Sequence, residues 1–76
     1  MTKKKLHELS LTADLCARGL PTDMVSIECD PSDRDKIIIA FKAELSKRGL
    51  AFDSFKQNTL DSLFVMTFHI YRVTSN

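Results

Sequence analysis

Two histidines (His7 and His69), two cysteines (Cys16 and Cys29) and three closely spaced aspartates (Asp30, Asp33 and Asp35) are the side chains of this 76-residue chain most suited to chemistry. His69 occupies the run LFVMTFHIYRV, where Thr67, His69 and Tyr71 fall on alternate positions and would share one face of a strand. Such a row can relay protons, because imidazole titrates near neutrality and serves as acid or base. A sheet-face histidine satisfied by water or a neighbour is the plainer reading, since no nucleophile elbow, phosphate loop, paired metal histidines or dinucleotide fingerprint accompanies it. The aspartates follow a strand and open a helix, so capping and the helix dipole account for all three without a metal. The cysteines have neither C-x-x-C nor metal spacing and read as reduced, packed thiols. A chain this short also leaves little room for the roughly 300 Å³ pocket typical of small ligands. The expectation is a protein that is not an enzyme, with no catalytic, cofactor-binding or metal-binding residue and no cofactor.

The elements that would hold these residues are marked by a repeat. ARGLPTD begins at Ala17 and KRGLAFD begins at Lys47, each after an apolar run of helical spacing. Leu6, Leu9, Ala13, Cys16 and Leu20 form the first stripe, with Leu11 and Leu15 widening it. Ile38, Phe41 and Leu45 form the second, flanked by Ile37. Gly19 and Gly49 suit the left-handed residue that ends a helix; Leu20 and Leu50 follow as apolar partners of the stop, and Pro21 blocks continuation of the first helix. Each copy is therefore a helix stop leading towards a strand. The match extends back to Ala13/Ala43, Asp14/Glu44 and Leu15/Leu45, and convergence on good capping chemistry explains it better than duplication.

The spacing predicts helices over 3–18 and 31–48 and strands over 24–29, 51–57 and 63–73, with the NTLD stretch as a turn. In MVSIEC, Val25, Ile27 and Cys29 alternate with Ser26 and Glu28; Asp30 offers the next N-cap and Pro31 the first helical position. The resulting class is α+β, order α-β-α-β-β, in one domain spanning 1–76. The crossover makes the first two strands parallel. The third strand is long and apolar on both faces, which places it centrally. The expected sheet is three-stranded and mixed, in order 1-3-2, a split βαβ with both helices on one face. Phe64, Met66, Phe68 and Ile70 would meet the helices, while Leu63, Val65, Thr67, His69, Tyr71 and Val73 line the open face.

That open face is the candidate contact surface, comprising Ser26, Glu28, Val65, Thr67, His69, Tyr71 and Val73. Contiguous apolar patches on small proteins often mark interaction sites. The first strand would be an edge without lysine or proline, suited to strand addition or to a homodimer, for which the open sheet face is the alternative surface. Lys3, Lys4 and Lys5 lie near a helix start, where cations oppose the dipole, and could contact anions or an acidic partner. Eleven Lys/Arg against ten Asp/Glu give a net charge of +1, without the basic excess that phosphate neutralisation favours. No apolar run is long enough to span a membrane and no signal-peptide core follows MTKKK, so a cytoplasmic protein without membrane contact is expected.

Two resemblances add context. The element order resembles the βαβαββ arrangement of Alba-type chromatin proteins and of the C-terminal domain of bacterial initiation factor three, without the first strand; that resemblance implies nucleic-acid binding. The segment LTADLCARGLPTDMVSIECDPSDRDKIIIAFKAEL, roughly half the chain, resembles in pattern small early-region proteins of lambdoid phages. It implies a phage-encoded protein acting in the host cytoplasm. The leading expectation is a non-enzymatic protein-binding module that modulates or inhibits a host protein, in host takeover or counter-defence. The alternatives are a nucleic-acid-binding module using Lys3–Lys5, Arg34, Lys36, Lys42, Lys47 and Arg48, and a structural homo-oligomer subunit.

Overall fold

The structure, a computed structural model, describes residues 2–19, 24–60 and 63–73. Its elements are α1 (Lys3–Ala17), β1 (Met24–Cys29), a 3-10 turn (Pro31–Asp33), α2 (Arg34–Ser46), β2 (Leu50–Leu60) and β3 (Leu63–Arg72). The strands form one sheet in the order β1-β3-β2, as expected. Both ladders are antiparallel. β1 and β2 therefore run in the same direction, as the crossover requires, but neither pairs with a parallel neighbour. The sheet is antiparallel and not mixed, because the inserted strand separates the only two that run together.

Local chemistry explains the boundaries. Thr2 caps α1 by accepting a hydrogen bond from the Lys5 amide. Gly19 and Gly49 adopt φ of 79° and 71°, the left-handed geometry that the repeated Arg-Gly suggested. The amide of Gly49 donates to the Ser46 carbonyl, and that of Gly19 to the Cys16 carbonyl. Leu50 follows Gly49 directly into the core, whereas Leu20 and Pro21 lie outside the described residues. Asp30 caps the 3-10 turn through the Ser32 amide, and the α-helix proper begins at Arg34.

The core lies between the helices and one face of the sheet. Leu9 and Ala13 come from α1, Ile37, Phe41 and Leu45 from α2, and Ile27, Leu50, Met66, Phe68 and Ile70 from the strands. The two helix stripes differ in detail from the expectation. Ile37 is fully buried and Ile38 only partly so, exchanging the centre and flank of the α2 stripe. Leu11 and Leu15 do not widen the α1 stripe. Each lies two residues beyond a buried position, about 200° around the helix, and is exposed.

β2 is longer than expected and absorbs much of the NTLD stretch, of which Asp61 lies outside the described residues. Its register slips between Phe52 and Ser54, with Phe52 opposite Ile70 and Ser54 opposite His69. A regular strand would send Phe52 and Phe55, three residues apart, to opposite faces. The extra residue at Asp53 brings both rings to the helix side. There Phe68 meets Phe41, Phe52 and Phe55 at ring separations of 5.0, 5.0 and 5.7 Å.

Candidate functional site

Strand alternation places the expected contact residues together. Val65, Thr67, His69 and Tyr71 point away from the helices along β3, followed by Val73, and Ser26 and Glu28 stand beside them on β1. The face is not uniformly apolar. At its centre the Ser26 and Thr67 hydroxyls are hydrogen-bonded at 3.1 Å, and Asp53 Oδ1 lies 3.2 Å from His69 Nδ1. Tyr71 and Val73 form an exposed apolar end, Leu63 marks the other, and Met24 is exposed opposite His69. A shallow depression of about 250 Å³ lies between Met24, Ser54, Lys56, Thr67 and His69.

The row containing His69 therefore combines hydrogen-bonding groups with flanking apolar surface. Both members of the Asp53–His69 pair are open to solvent, which screens any charge interaction between them. The pair straddles the bulge and ties the extra residue of β2 back to the central strand. No sequence spacing announced it, because the bulge that brings Asp53 alongside His69 was not legible.

The β1 edge is bordered by a groove. One part, about 360 Å³, is lined by Lys5, Glu8, Leu9 and Thr12 of α1 and by Ser26, Ile27 and Glu28 of β1. A second, about 370 Å³, shares Lys5 and Glu28 and continues past Cys29 to Pro31. Lys5 lies 2.9 Å from Glu8 and, with its hydrogen bond and charge, draws the Glu8 carboxyl below the ordinary range. Lys3 and Lys4 are exposed on the first turn.

Arg48 fixes the helix beside that groove. Its Nε donates to Asp14 Oδ1 at 2.7 Å, and Nη1 donates to the Glu44 carbonyl and carboxylate at 2.7 and 2.9 Å. Nη2 reaches Ser10 Oγ at 3.2 Å. The guanidinium holds the Asp14 and Glu44 carboxyls below their ordinary values, chiefly through these hydrogen bonds. The sequence offered Arg48 as part of the repeated helix stop and as a candidate nucleic-acid cation; its partner 34 residues away required the tertiary fold. Arg72 adds a second tie, donating to the Ala17 carbonyl at the end of α1.

No family model, curated protein or solved structure matches the chain. Cys16 and Cys29 are free thiols, each partly buried, and burial pushes both pKa values up, away from the reactive thiolate. Asp30 accepts from the Ser32 amide and hydroxyl, and Asp35 pairs with Arg34. Among the described residues no group of three or more His, Cys, Asp or Glu side chains converges as a metal would require. No helix among them is long and apolar enough to cross a membrane.

Proposed function

We propose that this chain is a non-enzymatic protein-binding module whose contact surface is the open sheet face together with the adjoining β1 edge. One observation carries the reading: both helices cover the same side of the sheet, leaving exposed Tyr71, Val73, Leu63 and Met24 on the other. Apolar ends around a hydrogen-bonding centre suit a protein partner, whose own polar groups can meet Ser26, Thr67 and His69 while its apolar side chains cover the ends. The resemblance of segment 11–45 to early-region proteins of lambdoid phages makes that partner a host protein, met in the host cytoplasm and modulated by occupation of its surface.

The nucleic-acid reading stands second because many of its cations are already engaged. Arg48 and Lys47 contact carboxylates, Lys5 pairs with Glu8, and Arg34 is shared between Asp35, Gln57 and the Phe55 ring. Neutralised in this way, they offer phosphates little net attraction. Titration with DNA and RNA at two salt concentrations separates the readings, since the second requires binding that weakens steeply with salt.

The direct test charges the central strand. Val65→Lys with Tyr71→Glu alters two residues outside the helix-facing core. Capture of a host protein seen with the parent should be lost while circular dichroism is unchanged. A folded double variant that captures the same protein undiminished would remove the sheet face from the contact.

A further inference from the structure

We propose that β1 pairs antiparallel with β1 of a second copy, so that two three-stranded sheets become one continuous sheet about a two-fold axis beside Ile27. The proposal deepens the reading of the β1 edge given above and does not require the β3 residues tested there.

The edge itself is suited to pairing. β1 is bonded to β3 on one side and runs in register with it for six residues, without a bulge. MVSIEC contains none of the lysines or prolines that discourage strand addition. A self-complementary register follows from the side-chain alternation. With Ile27 opposite Ile27, Val25 meets Cys29 of the second copy and Ser26 meets its Glu28. Helix-facing residues then oppose helix-facing ones, and outward residues oppose outward ones, so both cores continue across the junction. The Ser26 hydroxyl lies opposite a carboxylate that can accept its hydrogen bond. No like charges stand directly across from each other in this register.

The helix beside the edge adds contact area to the strand. Stable dimers bury about 800 Å² on each partner, more than a six-residue strand edge supplies alone. α1 overhangs the groove with Lys5, Glu8 and Thr12, and Leu15 continues the Glu8–Thr12 side of that helix at helical spacing. Leu15 is 47% exposed. The Arg48 contacts hold the Ser10–Asp14 side of α1 against α2, which leaves the groove side available. A second copy docked at β1 brings its own α1 alongside the Glu8–Thr12 side and covers Leu15. Lys5 and Glu8 supply both charge signs to that contact, the pattern an isologous interface requires of a single surface.

Sedimentation equilibrium of the full chain tests the register. The parent should sediment at twice its 8.6 kDa mass. Ser26→Glu sets a carboxylate opposite Glu28 at two symmetric places and should weaken the dimer about tenfold. Combining Ser26→Glu with Glu28→Lys turns both contacts into opposite-charge pairs and should restore it. Circular dichroism and a thermal melt confirm folding of each variant. A parent that stays monomeric at the highest attainable concentration overturns the proposal and leaves the edge to a strand from a different protein. A dimer indifferent to Ser26→Glu, or one that Glu28→Lys fails to rescue, equally overturns it. Loss of host-protein capture in the β3 variant, with its dimer intact, would separate the two surfaces.

Discussion

The two edges of the sheet are built on opposite principles. β2 carries Asp53 in a bulge and Lys56 farther along, and Arg34 reaches across from α2 to Gln57 and to the Phe55 ring. Bulges and lysines both hinder a further strand from adding. β1 has neither, and beside it lies a groove. The difference is not one of strand length, since β2 is the longer. It lies in what each edge spends on preventing contact. A chain that protects one edge in several ways and leaves the other plain has a direction in which association can extend the sheet.

The largest expected effect comes from dismantling the packing that anchors the protected edge. Phe68→Ala removes the ring shared by Phe41, Phe52 and Phe55 and should cost about 3–5 kcal/mol, enough to unfold much of a domain this small. Thr67→Ala, one position along on the open face, should cost about 1 kcal/mol or less, through its hydrogen bond to Ser26. Denaturant melts that reversed this ranking would invert the assignment of the faces.

The glycine before β2 comes next. Nothing lies within 4 Å of a Cβ built on Gly49 or Gly19, so any penalty arises from the positive φ and not from crowding. Gly49→Val and Gly19→Val should each cost about 1–2 kcal/mol, because a β-branched residue tolerates that conformation poorly. Thermal melts within error of the parent would contradict the helix-stop role of the Arg-Gly pairs.

Deleting Asp53 sharpens the contrast most specifically. Phe52, Ser54 and Phe55 already oppose Ile70, His69 and Phe68 in turn, so removing the extra residue leaves a regular ladder with both rings still inward. The melt should move by only about 5 °C, equivalent to about 1 kcal/mol in a domain of this size. Light scattering should then show association that the parent lacks through β2. An unchanged association state would show that the bulge is not what guards this edge.

The smallest effect concerns the helix overhanging β1. Asp14 and Glu44 have folded pKa values below their ordinary 3.8 and 4.5 because of Arg48. A carboxyl with a lowered folded pKa adds stability above its unfolded value and loses it as pH falls through the folded one. Stability should therefore decline as pH falls below about 4.5, and Arg48→Gln should flatten that part of the decline. Identical acid profiles for parent and variant would remove the clamp from the account.

Much of this architecture was legible because it rests on local signals. The boundaries of β1 followed from strict alternation between Met24 and Cys29, and the faces of β3 from its period of two. Gly19 and Gly49 declared themselves through Arg-Gly stops after helical runs. What escaped depends on distant parts of the chain. FDSF reads as an irregular strand until Phe68 is seen between its two phenylalanines. Leu11 and Leu15 look like core residues until the sheet selects the Leu9–Ala13 side of α1. The candidate contact residues were readable as one face; the groove was not, because it exists only where α1 overhangs β1.

Amide hydrogen exchange followed by mass spectrometry at low and high protein concentration tests the contrast between the edges most directly. Amides over 24–29 should gain protection as concentration rises, while those over 50–60 keep the protection they already have. Protection gained over 50–60, or none gained over 24–29, would contradict that contrast.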